Sequence, residues 1–421
     1  MITRLSIDSF KAISDRIDIP LKPFNVIIGR NGSGKSSAIE AIAWLSNCVS
    51  NGAESATSPF HRIEDIIHSG HQSFRVGIEY DPMDLSVGGL VEYDITIRND
   101  NHCPIIAEEN LSYPNRGEDG KRIVTTDIGR EYKLALKGGI SKRDRDLLRK
   151  RAKGDNLDQQ IEGVLYALDA LEAQEFSTAG NPNETLLKIV NQNADRGASL
   201  LRDTLNSAVF LKLNPKLIGD FSERAFTVSR RLLDEEGSQL ASVLAQLDSE
   251  SMNILLEKIR FVTGRVDQCD IHEPVSPADR RYFEFTENED GHLANIPAWV
   301  LSEGTRRITA ILALLLHDNP PSLLCIEEIE NGLDPWTVQF MLEELSSASL
   351  GGTQVIITTH SPYLLNMIPI ENVILVDRMD GNVVFTPGES LRDASPIFEH
   401  MGAGDMYTGR YLHDKAKGGD Q

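Results

Sequence analysis

The sequence predicts an α/β protein: a mixed sheet around a glycine-rich loop, an attached antiparallel β subdomain and an inserted helical lobe. Three observations carry this. Gly29-Arg30-Asn31-Gly32-Ser33-Gly34-Lys35-Ser36 stands between an apolar β-run at 24–28 and a helical pattern at 37–45. Residues 73–138 alternate apolar and polar side chains with the period of half-buried strands. Short apolar runs at 323–326 and 355–359, with a helical stretch between them, read as buried parallel strands.

The totals fit an ordinary globular chain of two or three domains, or of one large domain with an insertion. It has 421 residues, 40% of them hydrophobic and 25% charged. No apolar run approaches the length of a membrane span. Residues 1–7 alternate like a strand and lack a signal-peptide core, so a cytoplasmic location and no membrane partner are expected. Cys48, Cys103, Cys269 and Cys325 lie far apart, with neither zinc-ligand nor disulfide spacing. The net charge of −21 argues against coating DNA by general attraction, because neutralising phosphates needs Lys and Arg. The clearest basic cluster runs from Lys142 to Lys153, and a solvated helix face accounts for it better than a DNA contact.

Taken in order, residues 2–9 and 15–20 read as strands before the loop strand. The helix after the loop runs to about Asn47. Residues 50–60, rich in Ser, Asn, Gly and Pro, read as a loop, and 62–68 as one or two helical turns. Strands follow at 74–80, 91–97, 122–125 and 132–136, continuing the sheet of the first two. From Ser141 the character turns helical. Leu157, Ile161, Val164, Leu165, Leu168 and Leu171 form one apolar stripe, and further helices are expected around 184–193, 197–210, 222–233, 238–247 and 250–262. This stretch is too short for long coiled-coil arms and reads as a compact lobe. β character returns at 282–285, and 301–316 and 338–345 read as helices. Residues 373–376 and 383–385 flank Asp380-Gly381 as a hairpin, and the polar tail from Lys415 reads as frayed. The expected organisation is 1–140, the first part of a nucleotide-binding domain; 141–280, the helical lobe; and 281–421, the rest of that domain.

The loop supplies what a nucleoside triphosphate needs. Asn31, Gly32, Ser33, Gly34, Lys35, Ser36 and Ser37 are its candidate binding residues: backbone N–H groups and a helix N-terminus for phosphate oxygens, Lys35 for the β- and γ-phosphates, and the Ser36 hydroxyl for Mg²⁺. The strand at 323–326 ends in Glu327-Glu328. Glu327 is expected to hold the Mg²⁺ shell with Ser36, and Glu328 to polarise the attacking water.

The order of motifs then reaches a known family. The phosphate loop, Leu301-Ser302-Glu303-Gly304-Thr305, Ile326-Glu327-Glu328, Gly332-Leu333-Asp334-Pro335 and Thr359-His360-Ser361-Pro362 resemble those of ABC-type ATPase heads of the RecF, SMC and OLD branch. Residues 301–334, 234–244 and 7–11 are similar to standalone ATPases related to OLD nucleases. Relatives usually have Pro where Ile329 stands and often His where Asp334 stands. Gln72 is the candidate for the Q-loop glutamine.

The resemblance implies an ATPase that converts ATP and water to ADP and phosphate. Two copies would sandwich ATP head to tail, each loop facing Ser302 and Gly304 of the other copy. Asp334 would signal across the dimer, and His360 would sense the γ-phosphate. Lys11 stands open between a nucleotide contact and a surface lysine. Only 61 residues follow His360, fewer than a Toprim nuclease domain needs, and Asp377 and Asp380 have the wrong spacing for its metal pair. A separate effector, a nuclease or a toxin, is therefore expected, with this chain as the ATPase sensor or scaffold of a bacterial anti-phage defence system. The alternatives are a RecF- or SMC-like DNA-binding repair or clamp ATPase, and a nucleotide-gated scaffold with little turnover.

Overall fold

The computed structural model describes residues 1–84, 87, 89–114, 123–125, 133–135, 184–189, 196–223, 232–273, 280–289, 291–379, 381–393 and 403–408. The chain opens with β1 (Ile2–Asp8), β2 (Ile17–Pro20) and β3 (Phe24–Gly29), then the helix Lys35–Asn51. β4 (Ser73–Tyr80), β5 (Val91–Asp100) and β6 (Cys103–Ser112) precede the short β7 (Ile123–Thr125) and β8 (Lys133–Ala135). Next come β9 (Val209–Leu211), β10 (Ser222–Glu223), β11 (Val266–His272), β12 (Arg280–Glu289) and β13 (His292–Pro297). β14 (Leu323–Ile326), β15 (Gln354–Thr359), β16 (Val373–Met379) and β17 (Asn382–Pro387) complete the strands.

These elements divide into two compact units, 1–20 with 44–203 and 21–43 with 204–421. The first carries an antiparallel sheet in the order β2-β1-β4-β5-β6, so 74–80 and 91–97 continue the first two strands as expected, whereas β7 and β8 pair with each other in a separate two-stranded sheet. β6 is the strand that the sequence hides: Pro104 and a bulge opposite Thr96/Ile97 break its alternation. The loop expected at 50–60 is helical instead. The helix after the phosphate loop runs on to Asn51, Gly52 breaks it at φ 95°, and a short helix, Ala53–Thr57, and a 3₁₀ turn follow.

The second unit holds a six-stranded sheet in the order β17-β16-β3-β15-β14-β9. β9, β14, β15, β3 and β16 run parallel, and β17 returns antiparallel through the expected hairpin. β3, β14 and β15 are buried at every residue, which is why 26–28, 323–326 and 355–357 read as short apolar runs. Their side chains share one core with the helices Leu240–Leu244, Ser249–Thr263, Glu303–Leu315 and Pro335–Leu350. A second, antiparallel sheet joins β10, β11 and β13 to β12.

Within 184–273 the described helices are Leu186–Ile189, Arg196–Ser207, Leu240–Leu244 and Ser249–Thr263. Residues 209 and 210, expected to end a helix, form β9 with Leu211 instead. Their three side chains are too few to show a period, and pairing with β14 decides their conformation. The apolar stripe from Leu157 to Leu171, the basic cluster at 142–153 and the tail from Lys415 lie outside the described residues. No described helix is long and apolar enough to cross a membrane. All four cysteines are free.

In the first unit, Trp44 is fully buried, packs edge-on against Phe74 at 4.9 Å between ring centroids, and donates its indole N–H to Thr57 at 3.4 Å. Trp44→Ala is expected to cost about 3–5 kcal/mol through transfer and cavity terms. Urea denaturation of the variant should show the matching fall in midpoint.

Candidate functional site

β3 delivers the chain to Gly29 at the carboxyl edge of the parallel sheet, and the loop turns there into the helix Lys35–Asn51. Gly32 and Gly34 take φ of 72° and 110°, which L side chains rarely adopt. At Gly34 a Cβ would also lie 2.9 Å from the Val383 side chain of β17, so both space and conformation demand glycine. Lys35 is buried, and its ammonium donates to the carbonyls of Gly29 and Arg30 at 2.7 and 2.9 Å. Burial lowers its pKa, while Glu328, Glu330 and Glu327 act in the opposite direction. The Ser33 hydroxyl is buried without a partner among the described residues. Ser37 is also buried, whereas Asn31, Gly32 and Ser36 face solvent.

β14 and β15 bring the acidic side to the same edge. The Ser36 hydroxyl donates to Oε2 of Glu327 at 3.3 Å, so the two residues named for Mg²⁺ meet directly. A hydroxyl and a carboxylate are hard oxygen donors of the kind Mg²⁺ takes beside water and phosphate. The buried, unsatisfied Ser33 hydroxyl and the positive-φ glycines likewise form a cradle suited to phosphate.

Glu328 takes φ 51°, a left-handed conformation that costs a non-glycine residue of order 1 kcal/mol. Thr358 holds it there by accepting its N–H at 3.0 Å. One carboxylate oxygen accepts from the Asn331 amide at 2.6 Å, and the other lies 3.0 Å from Nε2 of His360. His360 is itself fixed, because its backbone N–H donates to Glu330 at 2.7 Å and the Thr359 hydroxyl donates to the same oxygen at 2.9 Å. Ile329 is buried and uses its N–H on the Thr358 carbonyl at 3.3 Å, a bond proline could not make.

Ser302, Gly304 and Asp334 meet each other's loops. Ser302 caps the helix Glu303–Leu315, accepting from the Thr305 N–H at 3.1 Å. Asp334 caps the helix Pro335–Leu350, accepting from Trp336 and Thr337 N–H at 3.0 and 3.1 Å. The Thr337 hydroxyl first, and the same residue's N–H next, hold the Asp334 carboxyl below its ordinary value. A Cβ on Gly304 would lie 2.7 Å from the Gly332 carbonyl oxygen, so glycine here permits the two loops to touch. Among the described residues no hydrogen bond joins Ser302 or Gly304 to the phosphate loop. Lys11 and Gln72 belong to the first unit, where the Lys11 ammonium lies 4.9 Å over the Phe60 ring.

Sequence reasoning missed Thr358, Glu330, Asn331 and Lys212. Asn331 stands three residues beyond Glu328 in a loop rich in turn formers, a spacing that could have drawn attention to it. Lys212 follows directly on β9, the strand read as helix, and its ammonium lies 3.7 Å from Glu327.

With this geometry in hand, comparison with known proteins gives two family matches. Residues 141–366 match the model described as "AAA domain, putative AbiEii toxin, Type IV TA system", and residues 1–79 match the "RecF/RecN/SMC N terminal domain". No curated protein matches. Among solved structures, an SMC head bound to the C-winged helix domain of ScpA aligns with a TM-score of 0.52 at 14% identity. The alignment covers 93% of this chain and 99% of that one. The Smc head from Pyrococcus furiosus, with an extended coiled coil and bound to the C-terminal domain of ScpA, gives 0.47 at 16% identity, covering 93% and 98%. The SMC head from Thermotoga maritima gives 0.44 at 14%, covering 92% and 98%. The fold is that of an ABC-type ATPase of the RecF and SMC kind, as the motifs implied.

Asn331, with His360 adding to it and burial opposing, holds the Glu328 carboxyl below its ordinary value of 4.5. A carboxyl so lowered stabilises the fold above its unfolded-state value and loses that contribution as pH falls through the folded value. The stability of the wild-type chain should therefore fall more steeply than that of Glu328→Gln between about pH 5 and pH 3. Denaturant unfolding across that range checks it, and partial exposure of the group keeps the difference modest.

Proposed function

The chain belongs to the AAA-domain family matched over residues 141–366, and from that premise we propose that it is an ATP-hydrolysing switch that closes head to tail around ATP. The single observation that carries this reading is the meeting of Ser36 with Glu327 and of Glu328 with His360 at one sheet edge, beside the phosphate loop.

In this reading the N–H groups of the loop and the Lys35 ammonium bind the phosphates. Ser36 and Glu327 would hold Mg²⁺, which supplies charge neutralisation on the β- and γ-phosphate oxygens. Glu328 orients the attacking water and takes its proton. Asn331 and His360 fix the carboxylate for that task, and its strained backbone aims it. His360, pinned through Glu330, responds when the γ-phosphate leaves. Ser302 and Gly304 of a second copy complete each site, so a two-fold dimer closes two sites at once. Closing and opening need only a few kcal/mol of differential affinity.

The description of that family, which names a putative toxin of a toxin–antitoxin system, supports a role as the ATPase subunit of a defence system that acts with a separate effector. The match of residues 1–79 to the RecF, RecN and SMC model favours the second reading, a DNA-binding clamp or repair ATPase, against which the net charge of −21 weighs.

Glu328→Gln is expected to lower the ATPase rate by about 10²–10⁴-fold and to accumulate an ATP-dependent dimer in light scattering. An unchanged rate and an unchanged mass would sink the mechanism. Lys35→Ala should abolish both nucleotide binding and dimerisation. Under the clamp reading, ATP-loaded protein should bind duplex DNA with an affinity that falls steeply with salt.

A further inference from the structure

The backbone places Lys212 with unusual firmness for a surface lysine. β9 pairs with β14 in parallel register, Leu211 beside Ile326, so Lys212 falls beside Glu327 at the sheet edge. The Glu327 N–H donates to the Leu211 carbonyl at 2.8 Å, and the Lys212 N–H donates to the Glu235 carbonyl at 2.9 Å. From this anchored point the ammonium reaches to 3.7 Å from Oε2 of Glu327, the same oxygen to which the Ser36 hydroxyl donates. The lysine side chain is 64% exposed and the carboxylate only 11%: a movable cation serves a fixed, sheltered anion.

Charge at this edge needs such a cation. Glu327, Glu328 and Glu235 face it, and Glu235 is driven up in pKa first by burial, with Lys212 opposing. Lys212 is also among the groups that lower Glu328. Lys35 acts on these carboxylates from a distance while its ammonium donates to two loop carbonyls, and among the described residues Lys212 is the cation within ion-pair distance of Glu327. An incoming triphosphate would meet net negative charge here unless something offsets it.

We infer that Lys212 is a resident counter-cation of the phosphate site, which neutralises Glu327 until metal takes that carboxylate and so lets the site accept ATP without Mg²⁺. The inference rests on the ATP-switch reading and deepens it. When Ser36 and Glu327 turn to the metal, two like charges compete for one carboxylate. The long side chain of Lys212 then swings clear, at little cost for an exposed lysine. Its contribution to ATP affinity is therefore large without metal and small with it, and this sets how strongly nucleotide binding depends on Mg²⁺.

The test is binding of a fluorescent ATP analogue to the full chain, measured once in EDTA and once in excess Mg²⁺. The wild-type protein should bind in both buffers. Lys212→Met should lose about tenfold in EDTA, the weight of one charge pair at partial exposure, and less than about twofold in Mg²⁺. Lys212→Gln, which keeps polarity without charge, should behave in the same way and serves if the Met variant does not fold. Lys212→Arg should stay within about threefold of wild type in EDTA. An equal loss in both buffers, no loss in EDTA, or failure of the wild type to bind in EDTA alone overturns the role given to Lys212. Failure of the wild type to bind in Mg²⁺ overturns the ATP reading itself.

Discussion

Parallel register is the constraint on which the rest of the second unit depends. β3, β14 and β15 run side by side in one direction, with Ile326 opposite Ile357 and Val26 opposite Ile357 on its other side. Every chain end with chemistry attached therefore emerges at the same edge: Gly29 into the loop, Ile326 into Glu327-Glu328, and Thr359 into His360. The strands are buried on both faces, so the packing of each side chain against its neighbours, rather than an in/out alternation, holds that register. The polar contacts at the edge inherit their precision from a core that contains no chemistry of its own.

Several site residues carry two duties. Ser302 and Asp334 both cap helices, and Ser361 caps the short helix after His360. The capping geometry holds each side chain at a helix start, where N–H groups also point toward any approaching anion. Glu328 is the counterexample. Its backbone is strained, and the bonds from Thr358 and Asn331 offset that strain locally. Such a conformation persists only where the surroundings over-determine it.

Much of the fold was legible because burial on both sheet faces writes itself as short apolar runs without polar alternation. β3, β14 and β15 are unmistakable for that reason, and the glycine loop beside β3 names its own chemistry. What stayed hidden has physical causes. β9 is three residues long and follows a helix, so nothing local distinguishes it from the helix's last turn. β11 and β13 are half-exposed strands whose partner, β12, decides them. Lys212 became visible only with β9, since its position beside Glu327 is a matter of pairing across more than a hundred residues. Glu330 and Asn331 read as an ordinary acidic turn until their bonds to His360 and Glu328 are seen.

The close fit of Gly34 against Val383 has a mechanical consequence. The hairpin of β16 and β17 stands behind the phosphate loop as a backstop, leaving the loop no slack on that side. A side chain at position 34 would meet Val383 before it met solvent. The loop is thus bounded on that side by volume as well as by charge.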